Sequence, residues 1–216
     1  TRQYYALKGW YTDTTDETGG TITEVSTTTD LYAHWELNTF TLNLTAPTLT
    51  YGSKMTDITL SRLLSTDAEK NCGTINIEVS STLPAGLECK DGVISGTPTA
   101  ASTDEGSKVT ITATAENTST ATQEVTFKVN KALLTVTPKS NQILYKGEEP
   151  EFDHSGEVND ETAAFEGKLK VNTGDNTIEQ DDLELKNNGS FLAANYELKM
   201  SLSSVTCTYH DVEPEN

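Results

Sequence analysis

The sequence predicts an all-β chain made of small sandwich-like modules in tandem, and three observations carry that expectation. Apolar and polar residues alternate with period two, as where Val109, Ile111, Ala113 and Ala115 interleave with Thr110, Thr112 and Thr114. Threonine supplies about one residue in six; its β-branch favours the strand and its hydroxyl suits a solvated face. Helical periodicity is confined to "MTDITLSRLLSTDAEKN", Met55 to Asn71, where no more than a short turn of helix is expected.

Taken in chain order, strands are expected at Phe40, Leu42 and Leu44, and at Ile75, Ile77 and Val79. The stretch "LPAGLECKDGVISGTPT", Leu83 to Thr99, then breaks the pattern. Pro84 fixes φ, Gly86 and Gly92 can supply left-handed conformations, and Gly96 and Pro98 flank Thr97 in a bend, so the chain reverses repeatedly. Two longer strands follow, the first through Val109 to Ala115 and the second through Val125, Phe127 and Val129. Asn130 and Lys131 carry the chain into another strand near Leu133. A late strand alternates at Tyr196, Leu198, Met200 and Leu202, and "VTCTY" places Cys207 inward with Val205 and Tyr209. Punctuation and charge divide the chain at about 1–37, 38–131 and 132–216. These segments hold two basic and six acidic residues, seven and ten, and six and seventeen.

Composition sets further bounds. Mean hydropathy is −0.48 and 34% of residues are hydrophobic, lean for one large core but adequate for sheets with one wet face. A formal charge of −18 opposes binding to nucleic-acid phosphates or an anionic membrane. No run approaches a membrane span, so no membrane insertion is expected of this segment. The opening "TRQYYALKGW" shows no Met and no signal peptide and reads as an internal piece of something longer.

The stretch from Leu83 to Thr99, with "GSKVTITATAENTSTATQEVTFKV" after it, resembles the immunoglobulin-like domain repeated in bacterial surface proteins. That family pairs an LPxGL segment with a strand ending in ISGTP and two long trailing strands. The resemblance covers about 38–131 and implies core or near-core places for Leu83, Leu87, Val93 and Ile94, with Gly86, Gly92 and Gly96 shaping the backbone; Cys89 stands where the family favours an aliphatic. "LKGWYTD" and "TGGTITEVSTTTDLYAHW" resemble the second half of the Listeria-Bacteroides repeat, implying a partial β-grasp-like unit over 1–37 with Leu7, Trp10, Leu31, Ala33 and Trp35 as its core. "LLTVTPKSNQILYKGEEPEF", "GKLKVNTGDNTIEQDDLEL" and "ANYELKM" are similar to the MBG domain of bacterial adhesin-like proteins over 132–216, with Lys146 interrupting that family's tyrosine-glycine pair.

Chemistry-bearing patterns are few. There is no HExxH, Walker loop, GxSxG or dinucleotide fingerprint. His34 occupies the outward parity of its strand, and His154 and His210 lie in unrelated settings. Acidic pairs such as Glu148 with Glu149 and Asp181 with Asp182 read as a solvated face, with weak Ca²⁺ binding near Asp175 to Asp182 as the alternative. Cys72, Cys89 and Cys207 form no metal spacing; Cys207 reads as a buried hydrophobe, and a Cys72–Cys89 bridge stays open. Among Tyr4, Tyr5, Trp10 and Tyr11, Trp10 is expected in the core and Tyr11 outside, free to stack on a sugar. Sequons stand at Asn43, Asn117 and Asn188.

The resemblances imply a non-enzymatic segment of a bacterial cell-surface or secreted protein, without cofactor, catalytic residue or metal. It would act as a monomeric adhesin or stalk towards a host protein or glycan. An accessory carbohydrate-binding or spacer module of a secreted glycan-degrading enzyme is the second reading. The modules are expected to touch each other little.

Overall fold

The structure, a computed structural model, describes residues 2–12, 22–24, 30–201 and 205–213, and they form an all-β fold. Leu202 and most of "TGGTITEVSTTTD" lie outside the described residues. The first strands, β1 (Tyr5–Tyr11) and β2 (Tyr32–Leu37), make an antiparallel pair with a register shift between Leu7 and Gly9.

The next segment holds β3 (Thr48–Thr50), β4 (Ile58–Thr59), a 3-10 turn (Leu60–Leu63), the short helix α1 (Ala68–Cys72), β5 (Ile75–Val79), β6 (Leu87–Lys90), β7 (Val93–Gly96), β8 (Ser107–Ala115) and β9 (Thr120–Asn130). They form a four-stranded sheet in the order β3-β9-β8-β5 and a three-stranded sheet in the order β4-β7-β6. Alternation does its expected work. Val109, Ile111, Ala113 and Phe127 are fully buried and share one core with Ile94 of the smaller sheet, while Thr112 pairs with Thr122 and Thr114 with Thr120 on the opposite face. Phe40, Leu42 and Leu44 are buried as expected, yet they form no ladder beyond a bridge from Leu42 to Leu64. The Gln123 side chain satisfies Leu44 instead, accepting from its N–H at 2.7 Å and donating to its carbonyl at 2.9 Å. Period two decides which side of a segment is buried; it does not say what fills its hydrogen bonds.

The last segment holds β10 (Ala132–Pro138), β11 (Ile143–Tyr145), β12 (Phe152–Ser155), β13 (Phe165–Glu166), β14 (Leu169–Asn172), β15 (Thr177–Gln180), β16 (Glu184–Leu185), β17 (Tyr196–Met200) and β18 (Thr208–His210). Here β10 lies between β12, antiparallel, and β17, parallel. A second parallel pair joins β11 to β18, and a third joins β3 to β9. Val136, Leu144, Leu169, Ile178, Leu183, Met200 and Cys207 form a second core.

One expectation fails: the segments on either side of Lys131 do not touch lightly. Ala132, Leu134, Phe191 and Tyr196 belong to the same core as Ile94 and Phe127. With one residue between β9 and β10, the facing ends of the two segments are held together, and the apolar side chains there are buried against each other. Strand β10 therefore enters the first core at Ala132 and Leu134 and leaves through the second at Val136.

Candidate functional site

The stretch Leu83 to Thr99 is a clasp. Residues β6 and β7 pair as a hairpin, turned by Asp91 (φ 51°) and Gly92 (φ 74°), the left-handed pair a two-residue turn requires. Leu87 N–H donates to Pro84 O, Thr97 N–H to Gly86 O and Thr99 N–H to Ala85 O. The outer rim of the same stretch holds the neighbouring loop: Gly52 N–H donates to Pro98 O, Met55 N–H to Gly96 O and Leu60 N–H to Gly92 O. Ile94 is fully buried and Leu83 and Leu87 pack against the core, while Val93 is half-buried. The backbone polar groups of the stretch bond to one another and to the neighbouring loop.

The amino-terminal aromatics reverse the expected parity. Trp10 is 46% and Leu7 44% exposed, whereas Tyr11 is 7% exposed and stacks on His34, with ring centroids 4.4 Å apart. Cross-strand partners share a face, and the pairing puts Leu7 with Trp35 and Trp10 with Ala33 on one side, Tyr11 with Tyr32 and Gly9 with His34 on the other. Of the set expected as core, Leu7, Trp10, Ala33 and Trp35 do lie on one face, but Trp10 and Leu7 are its open part. Tyr11 is thus no stacking platform and His34 is no outward group. Arg2 lies over the Tyr5 ring at 4.0 Å.

The polar candidates are scattered among structural partners. His154 Nδ1 lies 2.6 Å from Glu157, and His210 stacks on Tyr145, so the three histidines sit in three settings. Asp175 accepts from Thr177 Oγ1 at 2.6 Å and from its N–H at 3.0 Å, and these bonds hold its carboxyl below the usual range. Asp182 accepts from Lys168 N–H, Asp181 lies 3.8 Å from Lys170, Glu149 lies 3.6 Å from Lys168, and Glu148 accepts from Tyr145 N–H. No group of three or more metal-ligating side chains is assembled among the described residues. The three cysteines are free thiols, Cys72 and Cys207 buried and Cys89 exposed on β6; desolvation pushes the Cys89 and Cys207 thiols up, which weakens them as nucleophiles. Of the sequons, Asn43 and Asn188 are exposed, but Asn117 is buried, donating to Asn38 O at 2.9 Å and accepting from Ser119.

Polar groups also gather at the two junctions, around Asn38 and Glu161, which sequence reasoning did not single out. At the first, Asn38 N–H donates to Tyr4 O, its side chain donates to Asn71 O, and its carbonyl accepts from Asn117 and from the Cys72 thiol at 3.5 Å. At the second, the Glu161 carboxylate accepts from Tyr51 Oη through one oxygen and from Tyr196 Oη, at 2.7 Å, through the other. Tyr196 Oη also accepts from Val158 N–H, and its ring lies edge-on to Tyr51 and stacked on Phe191. Ala101 N–H donates to Asn195 Oδ1 across the same seam. Burial first, and the Glu161 carboxylate second, raise both phenols. Tyr196 looks like an ordinary strand position in the sequence, and Tyr51 and Glu161 belong to no motif. The signal that could have found them is the pairing of an aromatic with a long-range acidic partner, which one sequence cannot display.

No helix among the described residues is long and apolar enough to cross a membrane. Compared with known proteins, the chain matches no family model and no curated protein.

Proposed function

We propose that the chain is a non-enzymatic segment of a bacterial surface-exposed or secreted modular protein, an adhesin or stalk that displays a binding region. The observation that carries this reading is the pair of closed junctions. The Asn38 N–H bond to Tyr4 O at the first junction, and the Tyr51 bond to Glu161 with the Ala101 N–H bond to Asn195 at the second, tie successive segments into a fixed geometry, which a spacer needs in order to hold anything at a set distance. The resemblance of the Leu83 to Thr99 stretch to a bacterial surface-protein domain supports the location. The test is labelling of intact producing cells with an antibody raised against this chain. Labelling of unbroken cells is expected, and a signal confined to lysed cells would overturn the proposal. The exposed Trp10 favours a second reading, an accessory module of a secreted glycan-degrading enzyme, which predicts a hydrolase domain in the same gene product.

A further inference from the structure

Beyond the clasp and the junctions lies a cleft of about 410 Å³ between two sheet edges. One wall is the chain from Asn43 into β3, the edge of the four-stranded sheet; the other is β4, the edge of the three-stranded sheet, running into the 3-10 turn. The cleft is built rather than left over. The Leu42–Leu64 bridge and the Asn43 N–H bond to Leu63 O close one end, and Gln123 holds Leu44 by both backbone groups. Its apolar lining is a narrow strip of buried Leu44 and Leu63 with half-buried Pro47 and Ile58. Its rim carries threonine hydroxyls, Asp57 and Arg62. Neither Asp57 nor Arg62 makes an ion pair or side-chain hydrogen bond among the described residues. The chain has only two arginines, and the other covers Tyr5.

We infer that this cleft binds a neutral carbohydrate. A sugar ring presents a small C–H face beside many hydroxyls. A narrow apolar strip rimmed by hydroxyls, one planar donor fork and one planar acceptor complements it, whereas most drug-like ligands ask for a wider apolar lining. A net charge of −18 disfavours a sulfated or phosphorylated glycan. An extended peptide is the poorer occupant, because the two edges offer three and two strand residues and Pro47 guards the entry to β3. The inference concerns the isolated chain, so it stands or falls apart from the cellular role proposed above.

The experiment is titration of the ¹⁵N-labelled protein with cellohexaose, maltohexaose and mannohexaose in turn. At least one sugar, at about 10 mM or below, is expected to shift the amide resonances of residues 43–48 and 56–63. Arg62→Gln and Asp57→Asn should each weaken that binding about tenfold while leaving the thermal midpoint in place. The inference is overturned if none of the three sugars moves those amides, if both variants bind like the wild type, or if the shifts gather around Trp10. It is equally overturned if a threonine- and valine-rich hexapeptide binds there more tightly than any of the sugars.

Discussion

Replacing Gly96 by Ala probes whether the bend after β7 is architecture. Gly96 has φ 133°, and an added Cβ would overlap the Gly86 carbonyl oxygen and stand 3.0 Å from Leu87 Cα, both backbone atoms that no rotamer change can move aside. Strain in a region that side chains avoid costs about 1–3 kcal/mol. Separating the two strands loosens the Thr97 N–H bond to Gly86 O and the Met55 N–H bond to Gly96 O, each worth about 0.5–1.5 kcal/mol. The expected loss is about 3 kcal/mol. Gly92 is the internal control: its φ is 74° but nothing lies within 4 Å of an added Cβ, so Gly92→Ala should cost about 1–2 kcal/mol, the left-handed penalty alone. Urea unfolding followed by far-UV circular dichroism reads both. Tryptophan fluorescence does not serve, since Trp10 and Trp35 both sit in the β1–β2 pair. Because Phe191 and Tyr196 share the first core with Ile94, the transition of the last segment should move down with that of the middle one. A Gly96→Ala variant no less stable than Gly92→Ala would refute the reasoning.

The remaining predictions concern the junctions and the thiols. Tyr196→Phe removes one donor from Glu161 and leaves Val158 N–H without its acceptor, so a loss of about 1–3 kcal/mol is expected; a double-mutant cycle of Tyr51→Phe with Glu161→Gln should show coupling of at least about 0.5 kcal/mol. Both phenols are raised above their ordinary value of 10.0. Their contribution is therefore fully present below pH 10 and is lost as pH climbs through the folded-state values. Thermal midpoints between pH 9 and about 12 should fall more steeply for the wild type than for Tyr51→Phe/Tyr196→Phe, and equal slopes would count against the seam. Native protein should offer one accessible thiol to a disulfide reagent, Cys89, with Cys72 and Cys207 reacting only on unfolding. Secreted from a glycosylating host, folded material should carry no glycan at Asn117, whose amide is buried, as peptide mass mapping would show.

Most of the strand content was legible because burial on one face writes itself into the sequence every second residue, as from Val109 to Ala115. The clasp was legible because glycine and proline mark backbone geometry directly. Partnership was not. Nothing in "TLT" or "LKM" announces that Leu49 lies beside Val129 or Leu198 beside Leu134, since parallel pairing joins segments far apart in the chain. The register shift at Leu7 and Gly9 has the same character: one extra residue brings Trp10 onto the face of Leu7, and nothing in the sequence says that this face is the open one. Glu161 was hidden among seventeen acidic residues of the last segment, where only a contact distinguishes a bridging carboxylate from a solvated one.

The three parallel pairs have a mechanical consequence. Strand β3 opens the middle segment and β9 closes it, side by side and pointing the same way; β10 is likewise held by β17, and β18 by β11. Tension applied along the polypeptide pulls the start of β3 backwards and the end of β9 forwards, so the two slide along their lengths instead of peeling apart. Every hydrogen bond in such a ladder is loaded at once, and the first rupture must break several together. An antiparallel hairpin pulled at its open end, like β1 with β2, gives way one bond at a time. Under traction the amino-terminal pair is the compliant link, and the strands that carry the chain from the first core into the second are the ones that hold.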